Sequence, residues 1–411
     1  MKILHVFPYL PTPPNFGGAL RIYYILQHLH NNHDVTVAGF STNGNLEQFH
    51  ETFPGLKGKS HFISRPWKKK FRKLIQMYSL FTNHSYWYTT VFSKKLQHTI
   101  DQLLLENAFD LIQFEFPVMG RFVKNTDAIK ILDAHNVEYD NFKRMSNLKG
   151  SKLKQFFYRH EYEKLFNEEI KICSEQDAVF TTSNRDQKLL DKDVPEVSKF
   201  VIPNGVDVSY FYPSKQKYES ASLVFTGMMG YVPNYEGIIW FLDNIFPLIR
   251  KEIPNIKIYI VGKNPPQKLR KRATGNIIVT GFVKDVRPYV WRSSVYVVPL
   301  RMGGGTRLKV LEALAMKKPV VTTSIGCEGI DVTNDETVLK ADNPETFADS
   351  VIKLIGRKEL RDRLSQNGHE LIHSKYRWDA IGNQIEEAYS KLMQNSLAGK
   401  TEKKAMVDEQ F

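Results

Sequence analysis

Short, predominantly apolar runs recur along the chain and alternate with longer segments whose apolar residues fall at helical spacing. The runs cover residues 2–7, 35–40, 110–114, 129–133 and 178–182 in the first half, and 222–226, 256–261, 295–300 and 319–323 in the second. Runs of this length without polar alternation are typical of parallel strands covered on both faces. The amphipathic segments between them are expected to be the covering helices. The pattern predicts an α/β fold.

A predicted strand followed by a glycine loop and a helix occurs twice, once at the start of each half of the chain. Residues 2–7 lead to Gly17 and Gly18 before a helical pattern, and residues 222–226 lead to Gly227 before another. This repetition predicts two similar domains. A proline and Asn204-Gly205 mark a turn between them. We therefore expect a first domain over residues 1–205, a second over 206–375, a helix over 376–396 and a disordered polar tail over 397–411.

A glycine loop follows the apolar run 295–300 directly. Its glycines are Gly303, Gly304 and Gly305, and the helical pattern of residues 306–316 comes next, with Thr306 as the predicted N-cap. Glycines let the backbone approach a ligand closely. The N-terminus of a helix offers free N–H groups and the positive end of its dipole. The loop is therefore a candidate phosphate site.

Three side chains of the same helix carry charge. Arg307 and Lys309 would add positive charge beside a phosphate, and Glu312 could accept hydrogen bonds from sugar hydroxyls. The alternative is a glycine-rich turn followed by a Lys309–Glu312 ion pair on the surface of a helix. The residues alone leave both open.

Residues 280–289 (TGFVKDVRPY) and 295–323 resemble the donor half of group 1 glycosyltransferases of GT4 type. The resemblance extends over nearly the whole chain. It implies the GT-B fold, in which two Rossmann-like domains face each other across a cleft and the last helix crosses back to the first domain. It also implies a metal-independent, retaining hexosyltransferase-like enzyme without a cofactor. The donor substrate would be a nucleoside diphosphate sugar.

The resemblance assigns roles to individual positions. Glu312 would hold the ribose, and His135, which follows the run 129–133, would face the donor sugar. Gly17 and Gly18 would approach the donor phosphates and the acceptor, and the backbone near Val283 would meet the base. Glu115, after the run 110–114, is expected on the acceptor side.

The sequence departs from the family in two places. Many members carry an earlier glutamate where Gly304 stands, so the handling of the sugar ring differs here. Many also carry an arginine and a lysine in the loop after the first strand of the second domain, where this chain has Met228, Met229 and Asn234. We expect Arg307 and Lys309 to replace that charge and to act in catalysis.

The composition is typical of a globular protein and indicates its cellular compartment. Of the 411 residues, 42% are hydrophobic and 25% are charged, which excludes a disordered chain. Cys173 and Cys327 are far apart and lack metal-like spacing, which indicates a reducing compartment. The N-terminus is predicted to be a strand and not a signal peptide. The sequence has no run of about 18 apolar residues, so no membrane span is predicted. These features favour a cytoplasmic protein.

The net charge of +13 calls for an anionic partner or surface. Basic and aromatic residues mix in residues 67–81, where the candidates for membrane contact are Trp67, Lys68, Lys69, Lys70, Phe71, Arg72 and Lys73. Such a helix would lie on the inner face of an anionic membrane or would be solvated and packed on its own domain. A second basic-aromatic region covers residues 143–159. Because no nucleic-acid-binding motif is found, the membrane is favoured over nucleic acid.

The sequence therefore predicts transfer of a sugar to a glycan or lipid-linked acceptor in cell-surface glycan assembly. Two alternatives stay open. A nucleotide-sugar epimerase would share the architecture. A non-catalytic sugar-nucleotide-binding protein would explain the glycine at position 304.

Overall fold

The structure, a computed structural model, describes residues 1–41, 46–65, 71–123, 126–146 and 152–408. The chain divides into two compact units. Unit 1 consists of Met1–Pro203 and Gly382–Phe411, and unit 2 of Asn204–Ile381. Unit 1 is therefore built from two separate parts of the chain.

Unit 1 contains a parallel sheet of seven strands in the order β3-β2-β1-β4-β5-β6-β7. The strands are β1 (Lys2–Phe7), β2 (Asp34–Ser41), β3 (Ser60–Ser64), β4 (Leu111–Glu115), β5 (Ile129–Asp133), β6 (Ala178–Thr181) and β7 (Ser198–Val201). The helices are α1 (Gly17–Asn32), α2 (Leu46–Thr52), α3 (Arg72–Ser79), α4 (Tyr86–Val91), α5 (Lys94–Glu106), α6 (Pro117–Gly120), α7 (Glu138–Ser146), α8 (Lys152–Ser174) and α9 (Asn184–Asp193).

Unit 2 repeats the plan with a parallel sheet of six strands in the order β10-β9-β8-β11-β12-β13. The strands are β8 (Glu219–Thr226), β9 (Lys257–Val261), β10 (Ile277–Gly281), β11 (Ser293–Val298), β12 (Val320–Thr322) and β13 (Leu339–Lys340). The helices are α10 (Val232–Trp240), α11 (Phe246–Glu252), α12 (Gln267–Arg270), α13 (Arg287–Arg292), α14 (Leu308–Ala315), α15 (Pro344–Gly356) and α16 (Lys358–Leu371). The last helix, α17 (Trp378–Asp408), begins in unit 2, and its residues from Gly382 onward belong to unit 1.

The apolar runs form the sheets because helices cover both faces. The central strands β4 and β11 are buried at every position. The predicted α/β class with two Rossmann-like domains is confirmed. Four strands lie outside the nine apolar runs given above: β3, β7, β10 and β13. They are the edge strands of the two sheets, where a strand is less buried than in the centre.

Two helix boundaries differ from the prediction. Helix α14 begins at Leu308 with Arg307 as its N-cap residue, so Thr306 is not the cap. Helix α17 continues to Asp408, through a segment for which the sequence predicts a disordered tail. No helix within the described ranges has both the length and the apolar composition needed to span a bilayer.

Each sheet reverses its strand order once, and these positions locate the ligand-binding edges. In unit 1 the reversal lies between β1 and β4, and in unit 2 between β8 and β11. In open parallel sheets, ligands bind outside the carboxyl ends of the strands at such a point. Gly17 and Gly18 come after β1, Glu115 ends β4 and the loop 303–305 comes after β11, whereas His135 follows the neighbouring β5 and Val283 follows the edge strand β10.

Close packing of two strand ends in unit 2 generates the first prediction. Gly262 has a positive φ of 149°, and a Cβ there would lie 1.7 Å from the Gly227 carbonyl oxygen. We expect Gly262→Ala to lower the free energy of unfolding by roughly 2–4 kcal/mol, because it combines backbone strain with a clash against backbone. Denaturant unfolding measures it.

The matched control is Gly275→Ala, since a Cβ at Gly275 meets nothing within 4 Å. This change should alter stability by less than about 1 kcal/mol. If both variants lowered the free energy of unfolding equally, the close approach of Gly262 to the Gly227 carbonyl oxygen would be contradicted.

Candidate functional site

Two carboxylates lie side by side at the reversal point of unit 1. Glu115 and Asp133 are the last residues of β4 and β5 and are partners in the parallel register. Both side chains are fully buried. Buried charges of the same sign require counter-charges or hydrogen-bond donors.

Different groups satisfy the two carboxylates. Arg21 of α1, itself buried, donates from Nε to both oxygens of Asp133, at 3.0 and 2.8 Å. Glu115 is bound by two histidines: His5 Nε2 lies 2.6 Å from Oε1, and His135 Nε2 lies 2.5 Å from Oε2. The result is a compact network of alternating charge and hydrogen-bond donors.

The histidines determine the ionisation of Glu115. Burial alone would raise its pKa, but the hydrogen bonds from His135 and His5 outweigh burial and hold the pKa well below its usual range. Glu115 is therefore an anion that only accepts hydrogen bonds.

His135 occupies a strained backbone position. Its φ is 58°, and Phe116, directly after β4, also has a positive φ, of 70°. The two rings stack with centroids 3.9 Å apart and an interplanar angle of 20°. Bulky residues rarely adopt this region without compensation, and such strain is concentrated at functional sites. The geometry therefore marks His135 and Phe116 as a candidate site.

Neighbouring elements hold the turn that carries His135. Thr182 donates its hydroxyl to the His135 carbonyl oxygen at 3.2 Å. Glu169 of α8 accepts from the backbone N–H groups of Glu138 and Tyr139, at 3.0 and 2.9 Å. This carboxylate occupies the N-terminus of α7, where the free N–H groups of a helix need acceptors. The His135 turn is thus fixed on both sides.

Glu115, Asp133 and His135 also have the spacing of a metal site, with potential ligand atoms within 4.8 Å of one another. Sequence spacing did not suggest this grouping. Their facing atoms are already hydrogen-bonded to one another, to Arg21 or to His5. A metal ion would have to displace these bonds.

The paired glycines of unit 1 lie at the start of α1. Gly17 is the first residue of this helix, and the preceding Phe16 gives no side-chain cap. A Cβ at Gly18 would lie 2.3 Å from the Tyr9 hydroxyl and 3.0 Å from the Phe116 ring. Packing therefore requires a glycine at position 18, independently of any ligand. The predicted approach of Gly17 and Gly18 to a ligand remains a prediction.

Glycines with positive φ also mark the edge of unit 2. Gly227 follows β8 with φ 147°, and Gly281 ends β10 with φ 71°. The half-buried Val283, predicted to lie near the base, comes two residues later and packs on the core of the unit. Gly303 and Gly305 lie in the loop after β11 with φ 119° and 71°. The loop glycines are needed for backbone conformation.

Arg307 shapes the glycine loop from within. Its side chain is buried, and its Nη1 donates to the carbonyl oxygens of Gly304 and Gly305. These bonds extend the loop to residue 307 and explain why the helix starts later than predicted. The Thr306 hydroxyl is buried and has no hydrogen-bond partner within the described part of the chain. A buried unsatisfied hydroxyl beside a helix N-terminus is available to a ligand.

Lys309 reaches the other loop of the reversal point. Its ammonium donates to the Thr226 carbonyl oxygen at 2.7 Å and to Asn234 Oδ1 at 2.8 Å, and it lies 4.3 Å from the centroid of the Phe225 ring. The charge therefore sits at the loop after β8, where the resembled family has its arginine and lysine. The surface Lys309–Glu312 ion pair considered above is not the arrangement found.

Lys309 and the half-buried Glu312 both titrate near neutrality. Burial raises the pKa of Glu312 to about 7, although Lys309 acts against this rise. Burial lowers the pKa of Lys309 to about 7, with Glu312 acting in the opposite direction. Such shifts are typical of functional sites that await a charged ligand.

The predicted membrane segment is described only in part. Trp67, Lys68, Lys69 and Lys70 lie outside the described residues, as does the side chain of Arg72. Phe71 and Lys73 are exposed, and Ile75 is buried against the unit. Large apolar side chains of this segment face outwards: Leu74 is 62% exposed, Met77 60%, Tyr78 61% and Phe81 88%. The alternative given above, a helix packed on its own domain, explains the burial of Ile75 but not the exposure of the other apolar side chains.

The structure thus brings together Glu115 and His135 in unit 1, and Lys309, Glu312 and the loop 303–307 in unit 2. Sequence reasoning missed His5, Arg21, Gln113, Phe116 and Tyr389 around Glu115. A signal existed for three of them, one of which is Arg21, a charged residue within the helical pattern of α1. His5 and Gln113 are polar residues in the middle of strands that are otherwise buried, and they are partners in the register of β1 and β4.

Comparison with known proteins finds a family model that matches within unit 2. Residues 220–357 match the family model for Glycosyl transferases group 1. An uncharacterized 44.6 kDa protein in the cps region of Klebsiella pneumoniae is 25% identical over 379 residues, which cover 87% of this chain and 93% of that protein. The capsular polysaccharide biosynthesis glycosyltransferase CapM of Staphylococcus aureus is 21% identical over 249 residues, covering 56% of this chain and 65% of CapM.

A solved structure shares the fold. The Anabaena protein HepE in complex with UDP has a TM-score of 0.68 at 13% identity, covering 95% of this chain and all of that one. The chain has the GT-B fold.

The Lys309 and Glu312 pair generates a pH prediction. Folded Glu312 keeps its proton above pH 4.5, the ordinary pKa of a glutamate, so the free energy of unfolding should fall as pH rises from 4.5 to about 7. Folded Lys309 releases its proton below its ordinary 10.5, so stability should rise again between about 7 and 10.5. The contribution of this pair to the free energy of unfolding, measured on the ligand-free protein as the difference between wild type and variants of the pair, should have a minimum near pH 7, with slopes of at most about 1.4 kcal/mol per pH unit. Glu169 and Lys318, whose pKa values burial shifts to about 8, contribute to wild type and variants alike.

Two variants separate the limbs of this curve. Glu312→Gln should flatten the acid limb alone, and Lys309→Met the alkaline limb alone. A difference from wild type that does not change with pH in either variant would show that this pair does not cause the minimum.

Proposed function

We propose that this chain, whose residues 220–357 belong to the group 1 glycosyltransferase family, transfers a sugar from a nucleoside diphosphate sugar to a glycan or lipid-linked acceptor. Transfer proceeds with retention at the anomeric carbon and without a metal ion or cofactor. The observation that carries the proposal is the Lys309 ammonium at the loop after β8, beside the start of α14.

The donor diphosphate binds at the reversal point of unit 2. The Lys309 ammonium, the buried Thr306 hydroxyl and the N–H groups at the start of α14 surround one loop region and favour negative charge. As the bond to the sugar breaks, charge grows on the diphosphate, and these groups stabilise it. Arg307 holds the loop in shape. This charge takes the place of a metal ion.

The nucleoside binds beside the diphosphate. Glu312 accepts hydrogen bonds from the ribose hydroxyls, and the backbone near Val283 meets the base. Without a ligand, Lys309 is partly neutral, because its pKa is about 7. The negative charge of a bound diphosphate favours the protonated, charged form of Lys309.

His135 contributes from unit 1. Glu115 binds its Nε2, so Nδ1 is the ring nitrogen left to face the donor sugar. Glu115 orients the His135 ring through this hydrogen bond. It does not act as a nucleophile, since both of its oxygens accept hydrogen bonds. Without a fixed nucleophile, the acceptor attacks on the face from which the diphosphate departs, which retains the configuration.

The acceptor belongs to cell-surface polysaccharide assembly. CapM of Staphylococcus aureus is a capsular polysaccharide biosynthesis glycosyltransferase, and the relative from Klebsiella pneumoniae is encoded in a cps region. The exposed apolar side chains of α3 and its flank fit a peripheral contact with an anionic membrane, at which a lipid-linked acceptor is presented. A second exposed apolar pair, Leu153 and Phe156, lies at the start of α8.

The donor site predicts the effect of Glu312→Gln. If the carboxylate binds two ribose hydroxyls, this variant should weaken nucleoside diphosphate binding by roughly 1.5–3 kcal/mol, because bonds to a charged group are lost. Calorimetry with a panel of nucleoside diphosphates, followed by turnover assays with the matching sugars and acceptors, measures it.

The control is Glu219→Gln, at the opposite, amino end of β8, which should leave affinity unchanged. Equal affinities of wild type and Glu312→Gln would reject the ribose role. Conversion of the donor without an acceptor would instead indicate an epimerase, and binding without turnover on any acceptor would indicate a non-catalytic protein.

The exposed apolar strip predicts membrane binding. Replacing Leu74 and Met77 together by glutamine should weaken binding to anionic phosphatidylglycerol vesicles about tenfold or more, since each buried apolar side chain contributes about 1.5–3 kcal/mol. Binding should also fade as salt rises and should be absent with neutral phosphatidylcholine vesicles. Co-sedimentation measures all three.

Leu105→Gln is the matched control, because Leu105 is an 80% exposed leucine on α5 of the same unit. This variant should bind like wild type. If wild type stays in the supernatant with anionic vesicles at low salt, the acceptor is not reached through a membrane surface.

A further inference from the structure

A chain of hydrogen bonds connects the last helix to the candidate site of unit 1. Tyr389 of α17 donates its hydroxyl to Gln113 Oε1, and Gln113 Nε2 donates to Glu115 Oε1 at 2.7 Å. Glu115 Oε2 in turn lies 2.5 Å from His135 Nε2. Tyr389, Gln113 and Glu115 are fully buried, and His135 is 5% exposed. The chain is continuous and shielded from water.

The direction of these bonds is fixed by Glu115. A carboxylate only accepts, so the Gln113 amide must present its NH₂ group to Glu115 and its carbonyl oxygen to Tyr389. Tyr389 must then be the donor. Burial, together with the nearby Glu115 carboxylate, raises the pKa of Tyr389 well above its ordinary value, so the hydroxyl keeps its proton. The other orientation of the amide would set two acceptors against each other.

His5 completes the environment of Glu115. Its Nε2 lies 2.6 Å from Glu115 Oε1, while its Nδ1 is buried without a partner within the described residues. An N–H group at Nδ1 would be buried without an acceptor, so the geometry places the His5 proton on Nε2, where Glu115 accepts it. Glu115 therefore accepts from His5, Gln113 and His135, and Gln113 is the donor whose orientation depends on another side chain.

We propose that Tyr389 and Gln113 are positioning residues that act on His135 through Glu115. The proposal rests on the function inferred above, in which His135 faces the donor sugar. With Tyr389 in place, Gln113 holds the carboxylate so that its second oxygen accepts the proton of His135 Nε2, and Nδ1 is the nitrogen presented to the ligand. Without the Tyr389 hydroxyl, the Gln113 amide can rotate, and Glu115 then loses a hydrogen-bond donor. The tautomer of His135 is then no longer fixed.

A purely structural role explains these residues less well. Gln113 lies in β4, whose other residues up to Phe114 are apolar, and an apolar side chain there would avoid the desolvation of an amide. The Tyr389 ring packs near Phe180, with centroids 6.1 Å apart and an angle of 20°. A phenylalanine would keep this packing. The hydroxyl and the amide are therefore needed for the hydrogen bonds.

The test is Tyr389→Phe, which removes the hydroxyl alone, with Gln113→Met as a second variant of similar shape. We expect kcat to fall about tenfold in each, with the KM for the donor unchanged, because the donor nucleotide binds to unit 2. Nitrogen-15 NMR of the His135 ring should show the Nε2–H tautomer in wild type and a mixture of tautomers in both variants. Circular dichroism and thermal unfolding establish that each variant is folded.

Tyr259→Phe is the matched control, because Tyr259 is a buried tyrosine of unit 2 whose hydroxyl donates to Glu219 at 2.9 Å. It loses one hydrogen bond and should change neither kcat nor the His135 spectrum. Folded Tyr389→Phe and Gln113→Met proteins with wild-type kcat and wild-type ring-nitrogen shifts would overturn the proposal.

The spectrum separates this proposal from the proposed function, since it requires no turnover. If wild type transfers no sugar but the His135 tautomer still depends on Tyr389, the hydrogen-bond chain stands and the function is wrong. If sugar is transferred and neither readout responds to the variants, the function stands and the positioning role is wrong.

Discussion

Two buried carboxylates on adjacent parallel strands impose the main constraint on unit 1. Glu115 and Asp133 are fixed side by side by the register of β4 and β5, so neither can move away from the other. One is neutralised by an arginine from α1, and the other is solvated by two histidines and an amide. Removing one partner would leave an uncompensated charge in the interior, the situation that proteins tolerate least. The positions of β1, α1, β5 and α17 are all tied to this requirement.

Unit 2 has the opposite electrostatic character at the corresponding edge. Its reversal point holds a lysine and an arginine, and its carboxylate Glu312 titrates near neutrality. The two units thus repeat one fold while carrying different chemistry on it. This agrees with the general finding that strand ends of parallel sheets accept many side chains without changes to the core.

The sequence predicts the strands well because a parallel strand covered on both faces needs an uninterrupted apolar run. His135 and the loop 303–307 come shortly after such runs, and Glu312 lies in helix α14. The roles of His135 and Glu312 were taken from the family resemblance and stay predictions. The sequence does not predict Tyr389, because residues 113 and 389 are 276 positions apart and meet only in the fold. Arg21 gave a detectable signal, a charged residue within the helical pattern of α1. The start of α14 was misplaced because the bonds from Arg307 to the glycine carbonyls cannot be read from local preference.

Unit 1 is assembled from the first and the last parts of the chain, and this affects how the protein is made. The helix that carries Ile385 and Tyr389, both fully buried, leaves the ribosome only after all of Asn204–Ile381 has been synthesised. At typical translation rates this delay is on the order of ten to forty seconds. During that time the Gln113 amide has no tyrosine hydroxyl to orient it, and the surface that α17 covers stays exposed. The second unit can therefore fold before the first is complete, although its sequence comes later.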